Sequence, residues 1–167
     1  YHNGNSVVRV NVALDELQME SRGNQPIDAA SLNSVGTVTS QSEKTARVRL
    51  AAPAASLQAL NARARNASNA TYRSQAVIYG QGQNTRSEEI ADVLTNRALL
   101  KPSEGITIES LSSKYSFTIL RSLLTNENIY EIEAGEDSLL AALELANAIY
   151  EAGDAEFAQP VLRRSVT

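Results

Sequence analysis

Apolar and polar side chains alternate most strictly in the C-terminal half of the chain. Ile129-Tyr130-Glu131-Ile132-Glu133-Ala134 alternates over six residues, the mark of a half-buried strand. Phe117-Thr118-Ile119-Leu120-Arg121-Ser122-Leu123 reads as a second strand, and Thr125-Asn126-Glu127-Asn128 supplies the turn between the two. Val93 to Leu100 is apolar-rich and ends at Pro102, which gives a third. Two stretches switch to helical spacing. Ile108, Leu111 and Tyr115 share one face, with Thr107 placed to cap the helix. Leu139, Leu143, Ala146 and Tyr150 recur at helical spacing, with Leu140 and Ile149 widening the stripe. Glu136 and Asp137 suit that helix's N-terminus, and Gly153 is placed to end it in a left-handed turn. Ala155-Glu156-Phe157-Ala158-Gln159 is expected as a short last strand, stopped by Pro160.

The order strand, helix, strand, strand, helix, strand predicts an α+β module. Right-handed crossovers fold it into a ferredoxin-like antiparallel sheet with both helices on one face. The other face is then left without a cover. Glu131 and Glu133, alternating with Tyr130 and Ile132, are expected on that face and solvated.

The first half follows a looser version of the same pattern. Val8 to Leu14 alternates as a strand, and residues 21–34 are turn-rich, with one helical turn expected after Pro26. Val35–Thr39, Ala46–Leu50 and Gln75–Tyr79 read as strands. Ala46–Leu50 sets apolar residues against Arg47 and Arg49 and is expected to be half-buried. Pro53 suits the first turn of a helix over Ala54–Ala64. The segment is either a second ferredoxin-like unit in tandem or a set of extra strands. Gly80-Gln81-Gly82-Gln83-Asn84 is a breaker cluster, and with Thr85-Arg86-Ser87 it makes a linker. The expected division is 1–86, an α+β segment of unknown role, and 87–167, the ferredoxin-like module with a C-terminal tail.

Charge supports that division. Tyr1 to Arg86 holds nine basic and five acidic residues, net +4; Ser87 to Thr167 holds six basic and fourteen acidic, net −8. An acidic module argues against nucleic acid as a partner, since phosphate binding needs clustered Lys and Arg. No apolar run approaches the roughly 18 residues that span a bilayer, so no membrane partner is expected.

Candidate chemistry is sparse. The chain has no Cys, hence no disulfide and no thiol nucleophile. Its single histidine, His2, reads as a solvated residue in a loose end, which leaves a Ser-His-Asp arrangement little chance. No acidic cluster has metal-ligand spacing, and no cofactor is implied. Gly80-x-Gly82 lacks the third glycine of a dinucleotide cradle. The sequons at Asn66 and Asn69 are expected to be chance matches in an Ala-rich stretch. Arg163-Arg164 reads either as a dibasic cleavage site or as two solvated charges.

Three segments together resemble a known family: Asn128-Ile-Tyr-Glu-Ile-Glu133, Leu143-Glu-Leu-Ala-Asn-Ala-Ile-Tyr-Glu-Ala-Gly153 and Ala155-Glu-Phe-Ala-Gln-Pro-Val-Leu162. They look like the N-terminal propeptide of bacterial subtilisin-like serine proteases (subtilases). Val77-Ile-Tyr-Gly80 and Leu94-Thr-Asn-Arg97 look similar to such members too. The resemblance covers Val77 to Leu162; residues 1–75 match nothing. Gln159 departs from the family, which usually has an acidic residue there. The resemblance implies an intramolecular chaperone and inhibitor that is not itself an enzyme, from a secreted or periplasmic bacterial protease. The family's catalytic motifs are absent from the chain, so the protease domain, the implied partner in cis, is expected downstream of Thr167. The open sheet face would pack on two protease helices, with Glu131 and Glu133 capping helix N-termini. The tail Pro160, Val161, Leu162, Arg163, Arg164, Ser165, Val166 and Thr167 would lie in the active-site cleft like a substrate. The alternatives are a stand-alone inhibitor of the same fold and a ferredoxin-like ligand-sensing or dimerisation domain.

Overall fold

The computed structural model describes residues 1–3, 6–7, 10–69, 71–80, 92–124, 127–135 and 138–164. The chain is α+β, with antiparallel strands and three α-helices among the described residues. A two-residue pair, β1 (His2–Asn3) and β2 (Ser6–Val7), opens it. Then come β3 (Val10–Ser21), a 3-10 turn at Ala29–Leu32, β4 (Thr37–Gln41), β5 (Thr45–Arg49), α1 (Leu57–Ala67) and β6 (Tyr72–Gly80). The second half holds β7 (Asp92–Pro102), α2 (Ile108–Tyr115), β8 (Phe117–Leu124), β9 (Ile129–Ala134), α3 (Ala141–Glu151) and β10 (Ala155–Arg164). Contacts divide the chain into two compact units. The first is Val10–Val93 with Arg163–Thr167, and the second is Leu94–Leu162 with Tyr1–Arg9.

The units share one topology. Strands run β4-β5-β3-β6 in the first and β8-β9-β7-β10 in the second. Numbered within each unit, both orders are 2-3-1-4. The pairs β3–β5, β3–β6, β4–β5, β7–β9 and β8–β9 are antiparallel.

In the first unit, Leu17 and Met19 of β3 are fully buried, with Val48 on β5, Ala76 on β6 and Leu60 of α1. Ser74 donates its hydroxyl to the Ala64 carbonyl at 3.1 Å and so ties α1 to β6. The structure corrects three expectations here. β3 runs on to Ser21 instead of stopping near Leu14, because Leu17 and Met19 extend the alternation. Pro53 does not enter the helix. The Ala54 N–H bonds to the Leu14 carbonyl at 2.7 Å, and α1 begins only after Ser56, whose hydroxyl accepts from the Ala59 N–H at 3.1 Å. Arg47 is not on a wet face; it is 2% exposed.

In the second unit one core joins both helices to the sheet. Ile108 and Leu111 of α2 and Ala146 and Ile149 of α3 pack with Ala98, Leu100, Phe117 and Ile132. Both helices therefore cover the same sheet face. The α3 stripe is rotated from the expected one. Its buried residues are Ala141, Ala142, Ala146 and Ile149, while Leu143 is only half-buried. Small alanines let α3 approach the sheet closely, so the larger Leu143 takes the margin. Thr107 caps α2 by accepting from the Ser110 N–H at 3.2 Å. Gly153, at φ 78°, closes α3: its N–H bonds to Tyr150 at 3.0 Å, and the Asp154 N–H bonds to Ile149 at 3.2 Å. Glu136, Asp137 and most of the expected linker lie outside the described residues.

His2 is not a loose end. Its ring stacks on Tyr150 at 4.5 Å between centroids, and Nε2 lies 3.2 Å from Glu151 Oε1.

Candidate functional site

The helix-free face of the second unit is set by the pleat of β9. Ile132 points into the core, so Glu131 and Glu133 point the other way. Register then fixes their neighbours. Leu99 on β7 and Arg121 on β8 lie opposite Glu131, while Arg97 and Thr118 lie opposite Glu133.

Glu131 does not sit on a solvated face as expected; it is 7% exposed. Arg97 Nη1 donates to Oε1 at 2.9 Å, and Arg121 donates to Oε2 from Nε at 3.1 Å and from Nη2 at 2.9 Å. Two arginines reach across from both neighbouring strands and close over the carboxylate. Hydrogen bonds from Arg121 chiefly, and then from Arg97, hold its pKa below the usual carboxylate range against an opposing desolvation effect. Glu133 is half-buried and accepts from Asn96 Nδ2 at 3.0 Å. The face is therefore not the acidic surface that the sequence suggests. Its outermost charges include the guanidinium groups of Arg97 and Arg121, whose side chains are 50% and 68% exposed.

β8 closes one side of this strand order. It carries register shifts between Ile119 and Arg121 and between Ser122 and Leu124. The residues at the two shifts, Leu120 and Leu123, are 37% and 36% exposed. Such bulges twist an edge strand away from further pairing and re-aim its side chains. Two apolar side chains thus flank Arg121 in sequence.

The last strand is longer than expected. Pro160 does not stop the last strand but is buried within β10, and Val161 and Leu162 are half-buried. The Val161 carbonyl accepts from Thr95 Oγ1 at 2.7 Å. A proline inside a strand is tolerated where its missing N–H is not needed by the ladder. Arg163 donates through Nη2 to Glu20 Oε2 and to Gln75 Oε1, each at 3.2 Å. Arg164 ends β10, and Ser165, Val166 and Thr167 lie outside the described residues.

A polar cluster in the first unit was missed by sequence reasoning. Buried Arg47 donates Nε to Gln18 Oε1 at 2.8 Å, and its Nη1 lies 3.6 Å from Glu16 Oε2. Tyr79 donates its hydroxyl to Glu16 Oε2 at 2.9 Å, and Arg49 Nη2 lies 3.4 Å from Oε1. The available signal was Glu16 and Gln18 alternating with Leu17 and Met19 in a strand opposite two arginines.

Asp154 locks the end of α2 to the turn after α3. It accepts from Lys114 Nζ at 2.8 Å and from the Tyr115 hydroxyl at 2.7 Å, which together hold its pKa below the ordinary value. A groove of about 260 Å³ is lined by Tyr115, Ser116, Gly135, Ala141, Glu144 and Leu145 among others. Among the described residues no group of three or more His, Asp or Glu is placed to hold a metal, and no helix is long and apolar enough to cross a membrane.

No protein-family model, curated protein or solved structure matches the chain.

Proposed function

We propose that this chain is the propeptide of an exported bacterial subtilisin-like protease, acting as intramolecular chaperone and then as inhibitor of a protease domain encoded downstream. The observation that carries the reading is the helix-free sheet face of the second unit. Its strand order, β8-β9-β7-β10, with both helices packed on the opposite face, is what a ferredoxin-like module requires. Both helices of the unit pack on the other side of the sheet, so this face suits packing against a protein surface. A standard protease–inhibitor interface buries about 1,600 Å² in total, within reach of one sheet face and an extended tail.

The resemblance over Val77–Leu162 gives the partner its identity in this reading. On that view the chain beyond β10, which runs to Arg164, is what enters the protease cleft. The first unit, with the same 2-3-1-4 order, reads as a second ferredoxin-like module in tandem. The protease would be secreted or periplasmic.

The codons after Thr167 and an inhibition assay test this together. The expected outcome is a reading frame carrying the subtilase Asp, His and Ser motifs, whose purified protease domain is inhibited by the chain. A frame that lacks those motifs, or a cognate domain that the chain leaves fully active, overturns the proposal.

A further inference from the structure

We propose that the helix-free face of the second unit grips carboxylates on its partner through Arg97 and Arg121, and that Glu131 is the positioning residue for both arginines rather than a contact itself. The inference rests on the proposed function, from which it takes the partner to be the protease domain. It reverses the electrostatics expected from the sequence, where Glu131 and Glu133 were to meet positive helix N-termini.

Three observations carry it. First, both carboxylate oxygens of Glu131 accept arginine hydrogen bonds, and the residue is 7% exposed. A partner's N–H groups would have to displace two arginines to reach it. Second, the arginines are only partly spent. Arg97 uses Nη1 and Arg121 uses Nε and Nη2 on Glu131, so Nε and Nη2 of Arg97 and Nη1 of Arg121 remain as donors. Those side chains are 50% and 68% exposed. Third, the two cations share Glu131, and the other carboxylate of the face, Glu133, is half-buried and accepts from Asn96 Nδ2, so the exposed guanidinium groups are the charges a partner meets at this triad. Complementarity then selects acidic groups on the partner. The shared carboxylate also fixes both guanidinium groups before binding, and this lowers the conformational entropy lost on contact. Leu120 and Leu123, close to Arg121 in sequence on β8, are exposed apolar side chains of the kind that accompany arginine anchors at interfaces. Two arginines are too few for nucleic acid, whose binding needs a basic stripe.

The test measures inhibition of the downstream protease domain by the wild-type chain, by Arg97→Gln/Arg121→Gln, by Arg97→Glu/Arg121→Glu and by Glu131→Gln. Arg65→Ala, at an exposed position of α1, is the control for loss of a surface positive charge elsewhere, and thermal melts check folding. The double Gln variant should weaken inhibition about tenfold or more. The double Glu variant should weaken it further, and rising salt should shrink these differences. Glu131→Gln should fall in between, its arginines present but unfixed. Equal or tighter inhibition by folded arginine variants overturns the inference while leaving the propeptide reading intact. No inhibition by the wild type overturns both. Arginine-dependent binding to phosphatidylglycerol vesicles, without an arginine effect on inhibition, assigns the face to a lipid surface and also overturns it.

Discussion

Replacing Glu131 separates the attraction it makes from the cost of burying it. In Glu131→Gln the shape survives but the charge goes, and three arginine hydrogen bonds weaken. Fully buried pairs lose about 3–5 kcal/mol when one partner is removed. Here Arg97 and Arg121 are half or more exposed, so water takes up much of the loss, as it does in surface pairs worth about 0.2–1 kcal/mol each. Two such pairs are worth about 0.4–2 kcal/mol, and relief of the carboxylate's desolvation cost lowers this, so the net loss is at most about 2 kcal/mol. That corresponds to a fall of at most about 8 °C in melting temperature for a chain of this size. Glu131→Leu should cost less than Glu131→Gln, because it leaves no polar group to satisfy and frees both arginines to water. The pH dependence follows in sign. The folded carboxyl titrates below its unfolded value of about 4.3, so its contribution is complete above that pH. It is lost as pH falls through the lower folded value. Urea titrations from pH 7 to pH 3 should therefore show the wild type losing its advantage over Glu131→Gln across that acid range. A constant difference between the two at all pH values would refute this account of the triad.

Other substitutions test the frame. A Cβ at Gly135 would stand 2.3 Å from the Ser116 carbonyl oxygen, so Gly135→Ala should cost about 1–3 kcal/mol. At Gly153 the space is open and only the positive φ resists, so Gly153→Ala should cost about 1 kcal/mol; calorimetry ranking Gly153→Ala as the worse of the two would contradict this. Ile149→Ala empties a fully buried position beneath α3 and should cost about 2–5 kcal/mol in urea, and a loss below 1 kcal/mol would show the core to be misassigned. Glu20→Ala removes one anchor of Arg163 and should speed trypsin cleavage after Arg163 about two- to fivefold, with cleavage after Arg65 unchanged; an unchanged rate after Arg163 would show the pairing to be inert.

The second half was legible where side-chain period and capping agreed. β9 alternates without interruption, and Thr107 and Gly153 mark helix ends through backbone needs that few residues meet. Other features were set by tertiary context. Pro160 looks like a stop from sequence alone, yet it is accommodated in β10. Alternation placed Glu131 correctly on the outer face but could not show that Arg97 and Arg121 would close over it, since strand register decides which residues meet. Arg47 failed in the same way, because strand pairing sets it beside Gln18 and near Glu16. The first unit's element order was legible only loosely, because its first crossover uses a 3-10 turn of four residues, too short for a helical period.

The most direct test of the central claim is refolding. The downstream protease domain is denatured, diluted into buffer with or without the purified chain, and its yield of native enzyme is followed. The account predicts that the chain raises the yield of folded protease and that the complex then stays inactive until the chain is degraded. Refolding at the same yield with and without the chain, giving enzyme that the chain does not inhibit, would contradict it.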